Sequence, residues 1–278
     1  SKGEANDDAR ALAKSLIGGE RKAILLGNAA AHHPDASWLL ALAQWIGDAT
    51  GASVGYLTEA ANTVGAQWAG ALPGQGGLDA AQMLGGGLKA LLLLNNEPEF
   101  DSATGADVPA GLAHAQMVVT LSPFKANLAF SDVLLPIAPF TETSGTFVNA
   151  EGRVQGFHAV VKPLGGARPA WKVLRVLGNM LGLQGFAFES SQEVLAQLRT
   201  GQDAGATHVP AELLRNAAPA GVDLSVAPAN APVLPVAASI YQLDGIVRRA
   251  TSLQLTADGR GADASARGTN TALDGVLA

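Results

Sequence analysis

The sequence predicts an α/β protein with a mainly parallel sheet flanked by helices. Three observations carry that prediction. Short apolar runs of strand length, "KAILLG", "SVGYL", "LKALLLLN" and "AQMVVTLS", recur between residues 22 and 122. Stretches with apolar residues at helical spacing stand between some of these runs, and glycines or capping residues mark many of the junctions. Apolar strands alternating with amphipathic helices are the pattern of βαβ units, whose strands are covered on both faces.

Taken in order, residues 8–17 set Ala9, Leu12, Ala13, Leu16 and Ile17 at helical spacing and run into Gly18-Gly19, a helix stop. "KAILLG" follows as a buried strand. Asp35 is placed to cap the next helix, where Trp38, Leu42, Trp45 and Ile46 form one apolar stripe before Gly51. "SVGYL" is the second strand. Residues 62–77, with their glycines and Pro73, read as a loop before a short helix at 78–84. "LKALLLLN" is a third, fully buried strand, and "AQMVVTLS" a fourth. Pro136 and Pro139 argue against a central strand beyond them, and "GTFVNAEGRVQGF" reads as a hairpin turning at Glu151-Gly152. Residues 168–183 and the capped "SSQEVLAQLRTG" return to helix.

The expected organisation is an α/β domain over residues 1–200, then a helix and Pro/Ala-rich linker over 201–237 with Pro219, Pro228, Pro232 and Pro235. Residues 238–278 are expected to form a short β segment and a polar tail. In that segment "SIYQLDGIVRRATSLQLT" reads as one or two strands around Asp244-Gly245.

Composition removes several function classes. The 278 residues carry a net charge of −6, which leaves no electrostatic footprint for nucleic acid. There is no cysteine, so disulfides, thiol catalysis, zinc–thiolate sites and cysteine-ligated iron–sulfur clusters are excluded from this chain. Charged residues make up only 15%, against about 25% in ordinary soluble domains, which suits a surface partly covered by partners. The run from Ala90 to Leu94 is far shorter than the roughly 20 apolar residues that span a bilayer. The opening "SKGEANDDAR" is polar and lacks methionine, and reads as the interior of a longer chain rather than a signal peptide.

Six patterns invite a chemical reading. "GASVG" at 51–55 matches the G-x-S-x-G elbow around Ser53, but the motif needs a strand before the serine and a helix after it, and here the order is reversed. "GGGLK" at 85–89 follows a helix and precedes a strand, the opposite of a phosphate loop. "LLGNAAAHHPD" follows a strand with one glycine where a dinucleotide fingerprint has three. His32, His33, His114, His158 and His208 form no metal-ligand spacing. Glu97 and Glu99 straddle Pro98 just past a strand's carboxyl end, where α/β ligands bind, although a solvated loop is the simpler reading. Arg248 and Arg249 are a candidate contact for a partner's carboxylates, or else lie on a solvated strand edge.

"ETSGTFVNAEGRVQ" at 142–155 is the densest pattern. Gly145 and Gly152 permit backbone conformations and close approaches that other residues resist, and Asn149 offers donors and an acceptor. Such a loop suits a polar ligand. It equally suits a structural hairpin in which Glu142 pairs with Arg153 and Asn149 satisfies backbone groups.

The longer stretch "SDVLLPIAPFTETSGTFVNAEGRVQ", with "ANTVGAQWAGALPG" and "LKALLLLNNEPEFD" upstream, resembles the molybdopterin oxidoreductase family over about residues 20–185. "YQLDGIVRRATSLQLT" at 241–256 is similar to the closing segment of family members built into respiratory NADH:quinone oxidoreductase, complex I. That resemblance implies a fold kept without molybdenum, serving as a non-catalytic structural module of the peripheral arm. Glu142, Gly145, Thr146, Asn149, Glu151, Gly152, Arg153 and Gln155 would then be a vestigial motif, with no catalytic residue, bound cofactor or metal expected here. Iron–sulfur clusters would belong to the missing amino-terminal half of the parent chain. The implied partners are that half and other peripheral-arm subunits, on the cytoplasmic side of a bacterial inner membrane, without a direct membrane span or nucleic acid. The alternatives are a fragment of an active molybdopterin-dependent oxidoreductase and a free-standing α/β binding module.

Overall fold

The computed structural model describes residues 5–31, 33–58, 60–102, 105–201, 205–214, 216–226 and 239–260. The chain divides into two compact units. One comprises residues 1–68, 148–154 and 207–237, and the other residues 69–147, 155–206 and 238–278.

In the first unit, helix α1 (Asp7–Gly18) starts at Asn6, whose side chain accepts a hydrogen bond from Ala9 N. Strand β1 (Ala23–Leu26) leads through α2 (Asn28–Ala31) and α3 (Ala36–Thr50) to β2 (Ser53–Tyr56), which pairs parallel with β1 in the register Ala23 to Ser53. This is the predicted βαβ unit. Helix α3 ends where Gly51 turns left-handed at φ 73°. Asp35 occupies the cap position of α3, but its side chain makes no capping bond. Its backbone N–H donates to His33 Nδ1 instead. Residues 63–68, expected within a loop, form helix α4 (Thr63–Trp68).

In the second unit, α5 (Ala80–Leu84) opens with a complete capping box between Asp79 and Gln82. Strands β3 (Ala90–Leu94), β4 (Met117–Ser122) and β5 (Val133–Pro136) form a three-stranded parallel sheet with β4 central. Helices α6 (Pro98–Asp101) and α7 (Val108–Leu112) lie in the β3–β4 connection. Pro136 is tolerated because it is the last residue of an edge strand.

Leu84, Leu91, Leu93, Val108, Leu112 and Val118 pack into one buried cluster on one face of this sheet. The expectation that β3 is fully buried is corrected here. Its side chains alternate, with Leu91 and Leu93 inside while Leu92 and Leu94 remain 44% and 42% exposed. The packed cluster draws on α5 and α7 and reaches one face only, so the strand is half-buried despite its unbroken apolar run.

Strands β6 (Gly145–Val148) and β7 (Val154–Phe157) form the predicted hairpin. Helices α8 (Ala170–Met180) and α9 (Ser191–Leu198) follow, α9 capped by the Ser190 hydroxyl accepting from Glu193 N. The carboxyl-terminal segment corrects the sequence reading. Instead of strands it forms three short helices, α10 (Ile240–Leu243), α11 (Gly245–Arg249) and α12 (Thr251–Gln254). The reason is capping. The Ser239 hydroxyl accepts from Tyr241 N, and the Asp244 carboxylate accepts from both Ile246 N and Val247 N, so Asp244-Gly245 starts a helix rather than turning a hairpin. Most of the proline-rich stretch, residues 227–238, and the tail from 261 lie outside the described residues.

Candidate functional site

The carboxyl ends of β3, β4 and β5 define the crevice where α/β proteins hold ligands. At the end of β3, Asn95 takes a left-handed conformation, φ 51°, and donates its N–H to Leu121 O on β4. This turns the chain so that Asn96 and Glu97 follow along the strand ends. Asn127, also left-handed at φ 58°, donates its amide to Asn96 O at 3.0 Å and fixes that turn. Glu97 N donates to Asp101 Oδ2 at 2.6 Å, closing the first turn of α6.

Glu97 is not a solvated loop residue. Its side chain is 11% exposed and is held by two guanidinium groups. Arg249 donates to both carboxylate oxygens, at 2.7 and 2.9 Å, the bidentate geometry peculiar to arginine. Arg248 lies 3.2 Å from Glu97 and 3.5 Å from Asp101. Each guanidinium also stacks on a ring, Arg248 over Phe100 at 4.4 Å and Arg249 over Phe124 at 4.1 Å. Burial pushes the Glu97 carboxyl upward, but the bonds and charges of Arg249 and Arg248 outweigh it and hold Glu97 below the ordinary carboxylate range. Asp101 goes the other way. Burial raises it, and the Glu97 N–H and the Arg248 charge offset only part of that rise.

The arginines read as a partner contact or a strand edge are therefore internal ties, both on α11. They bring residues 243–248 over the strand ends, leaving a cavity of about 250 Å³ lined by Asn95, Asn96, Ser122, Phe140, Ile246 and Arg248, among others. Sequence reasoning placed Glu97 at the right edge of the sheet. It missed the pairing because Arg249 lies 152 residues further along the chain, with Arg248 beside it.

The 142–155 motif is distributed over a hairpin. Asn149 organises the turn, its Oδ1 accepting from Glu151 N at 3.1 Å and Arg153 N at 2.9 Å. Its backbone N–H donates to Arg153 O and its carbonyl accepts from Gly152 N. Gly152 sits at φ 80°, and a Cβ added there would lie 2.5 Å from Leu214 Cδ1. Gly152 O accepts from Val209 N, Val154 N donates to Thr207 O, and Arg153 bridges antiparallel to His208. At Gly145 an added Cβ would meet the Phe157 ring at 2.6 Å, and that ring stands edge-on to Phe147 at 5.0 Å. The Glu142 carboxylate accepts from Leu164 N at 3.0 Å. Thr146 is half-buried, while Glu151, Arg153 and Gln155 are exposed. The motif's glycines and Asn149 thus serve the hairpin's own geometry.

The other candidates fall where the sequence put them. Ser53 begins β2 directly after a helix, the wrong order for a nucleophile elbow. Gly86 and Gly87, at φ 106° and 87°, make the turn between α5 and β3. Helix α2 does follow β1 in "LLGNAAAHHPD", but it is only four residues long. His32 lies outside the described residues, His33 bonds locally, and His208 meets the Thr207 hydroxyl at 3.0 Å. Among the described residues, no three His, Asp or Glu side chains gather to hold a metal ion.

With residues 243–248 over the strand ends, the remaining cavity of about 250 Å³ is smaller than the roughly 300–1,000 Å³ of pockets for drug-sized ligands.

The model of the molybdopterin oxidoreductase family matches residues 5–180. A probable oxidoreductase of Bacillus subtilis, YjgC, is 30% identical over 135 residues, 47% of this chain and 14% of the relative. A putative formate dehydrogenase of Staphylococcus aureus is 36% identical over 92 residues, 33% of this chain and 9% of the relative. The 78 kDa subunit of the mitochondrial NADH-ubiquinone oxidoreductase of Candida albicans is 41% identical over 81 residues, 29% of this chain and 11% of that protein. The aligned segments thus make up only 9 to 14% of these relatives' lengths. Among the described residues no helix is long and apolar enough to cross a membrane. The match covers more than half of this chain, whose strands pair in parallel βαβ fashion, and the chain belongs to the molybdopterin oxidoreductase family.

Proposed function

We propose that this chain is a cofactor-free structural module of NADH:quinone oxidoreductase, the carboxyl-terminal part of the large cluster-bearing polypeptide of its peripheral arm. It supports electron transfer from NADH to quinone carried out by other domains and subunits. The observation that carries this reading is the occupation of the strand-end crevice by the chain's own α11, tied through Arg248 and Arg249 to Glu97. A family member that binds a pterin there needs the crevice open. The 41% identity to a complex I subunit points the same way. In this reading the iron–sulfur clusters sit elsewhere in the parent chain, the partners are its amino-terminal half and neighbouring subunits, and the assembly is peripheral on the cytoplasmic face of a bacterial inner membrane.

A second reading, part of an active molybdopterin-dependent oxidoreductase, draws on the relatives named as formate dehydrogenases. The two separate on one measurement. Molybdenum, tungsten and released pterin are assayed in the intact parent protein, purified mildly with whatever co-purifies. The structural reading expects none of the three, with NADH-oxidising partners in the same preparation. Stoichiometric metal and pterin overturn it.

A further inference from the structure

Beyond the strand-end crevice, the second unit carries an open groove of about 570 Å³ between the 159–169 loop, the start of α8 and the residues around Ser190. We propose that this groove docks an extended, acidic segment of a partner protein that also carries aliphatic side chains.

Charge is the first argument. Lys162, Arg168 and Lys172 all line the groove, in a chain whose net charge is −6. Among the described residues none of the three makes an ion pair. Arg168 donates to the neighbouring carbonyl of Ala167, and the Lys172 ammonium rests over the Trp171 ring at 5.4 Å. Of the two carboxylates of the groove, Glu189 lies 3.4 Å from Arg175, while Glu142 accepts from Leu164 N at 3.0 Å, a neutral donor that does not cancel its charge. Three cations against one carboxylate that has no cationic partner among the described residues leave the groove net positive, which attracts carboxylates and speeds their encounter.

Apolar exposure is the second argument, and it favours a peptide over a small anion. Val160, Val161 and Leu164 of the same loop are 83%, 56% and 82% exposed. Trp171 lines the groove half-buried, the kind of aromatic anchor on which interfaces concentrate their energy. Exposed aliphatics beside an aromatic and a rim of cations mark a protein-docking surface. A lone phosphate would use the cations and leave those three side chains in water.

The test uses the chain and an acetylated peptide alternating glutamate and leucine, at low ionic strength. Amine-labelling rates at Lys162 and Lys172 are read by mass spectrometry, with Lys14 and Lys89 as controls. The expected result is slowed labelling at Lys162 and Lys172 alone. In Lys162→Glu with Arg168→Glu, binding should weaken about tenfold or more, because like charge then faces the peptide. Both side chains are solvent-exposed, so the variant should fold, and an unchanged melting curve verifies it. Unchanged labelling at saturating peptide overturns the proposal, as does equal affinity for the variant. Equal protection of both amines by inorganic phosphate alone also overturns it, in favour of a small-anion site.

Discussion

Arg249 grips Glu97 with two nitrogens, at 2.7 and 2.9 Å, across 152 residues of chain. That bond fastens the carboxyl-terminal helices to the ends of the parallel strands. Glu97 is 11% exposed and Arg249 34%, so the pair is sheltered on the carboxylate side and partly wet on the other. Neither limit applies fully. A surface pair contributes about 0–1 kcal/mol, whereas stripping one partner from a buried pair costs about 3–5 kcal/mol.

Arg249→Met should therefore lower stability by about 2 kcal/mol, between those two limits. Urea denaturation gives the magnitude, and limited proteolysis shows the place. Cleavage should appear first within residues 240–254, because α11 loses its strongest tie. A variant with wild-type stability and no new cleavage would show that this pair does not hold the segment.

The same tie should respond to acid. Glu97 lies below its usual 4.5 in the folded chain, so its stabilisation is complete above that value and is lost as pH falls through the lower folded value. Asp101, raised above 3.8, takes up its proton earlier in the folded chain than in the unfolded one, which offsets part of the loss at first. The expected profile is a segment that stays docked down to about pH 4.5 and loosens below it. Hydrogen exchange at 245–254 as a function of pH reads this directly. Glu97→Gln should remove the loosening below pH 4.5 and leave only the opposite contribution of Asp101.

The parallel α/β framework was legible because each unit of it is local: an apolar run, a glycine stop, a capped helix. The hairpin at Asn149 to Gly152 was legible for the same reason. The carboxyl-terminal helices were not. "SIYQLDGIVRRATSLQLT" has the β-branched residues of a strand, and only the Ser239 and Asp244 caps, with a carboxylate 152 residues upstream, make it helical. The exposed face of β3 was hidden too, because the run Leu91 to Leu94 is identical whether one face or both are covered.

Asn149→Ala distinguishes a hairpin staple from a ligand donor. Its Oδ1 accepts two backbone N–H groups, from Glu151 and Arg153, and alanine leaves both without that partner. At about 0.5–1.5 kcal/mol for each bond, partly replaced by water at an exposed turn, the loss should be about 1 kcal/mol. Chemical denaturation of the chain, with nothing added, measures it. No loss would free Asn149 for a binding role.

Gly152→Val tests the turn from the other side. The φ of 80° penalises any β-branched residue, and the new Cβ would start 2.5 Å from the Leu214 Cδ1 atom. Leucine can rotate away, so the contact alone is tolerable, but the backbone cannot change φ without breaking the Gly152 O bond from Val209 N at 2.8 Å. Strain of this kind costs about 1–3 kcal/mol. Gly152→Ala should lose less, because it keeps the φ penalty without the branch, while Leu214→Ala combined with Gly152→Val should recover only the steric share. A thermal melt of the three variants orders them. Should Gly152→Val melt with the wild type, the hairpin would not be a structural element of this chain, and the motif's glycines would need a different explanation.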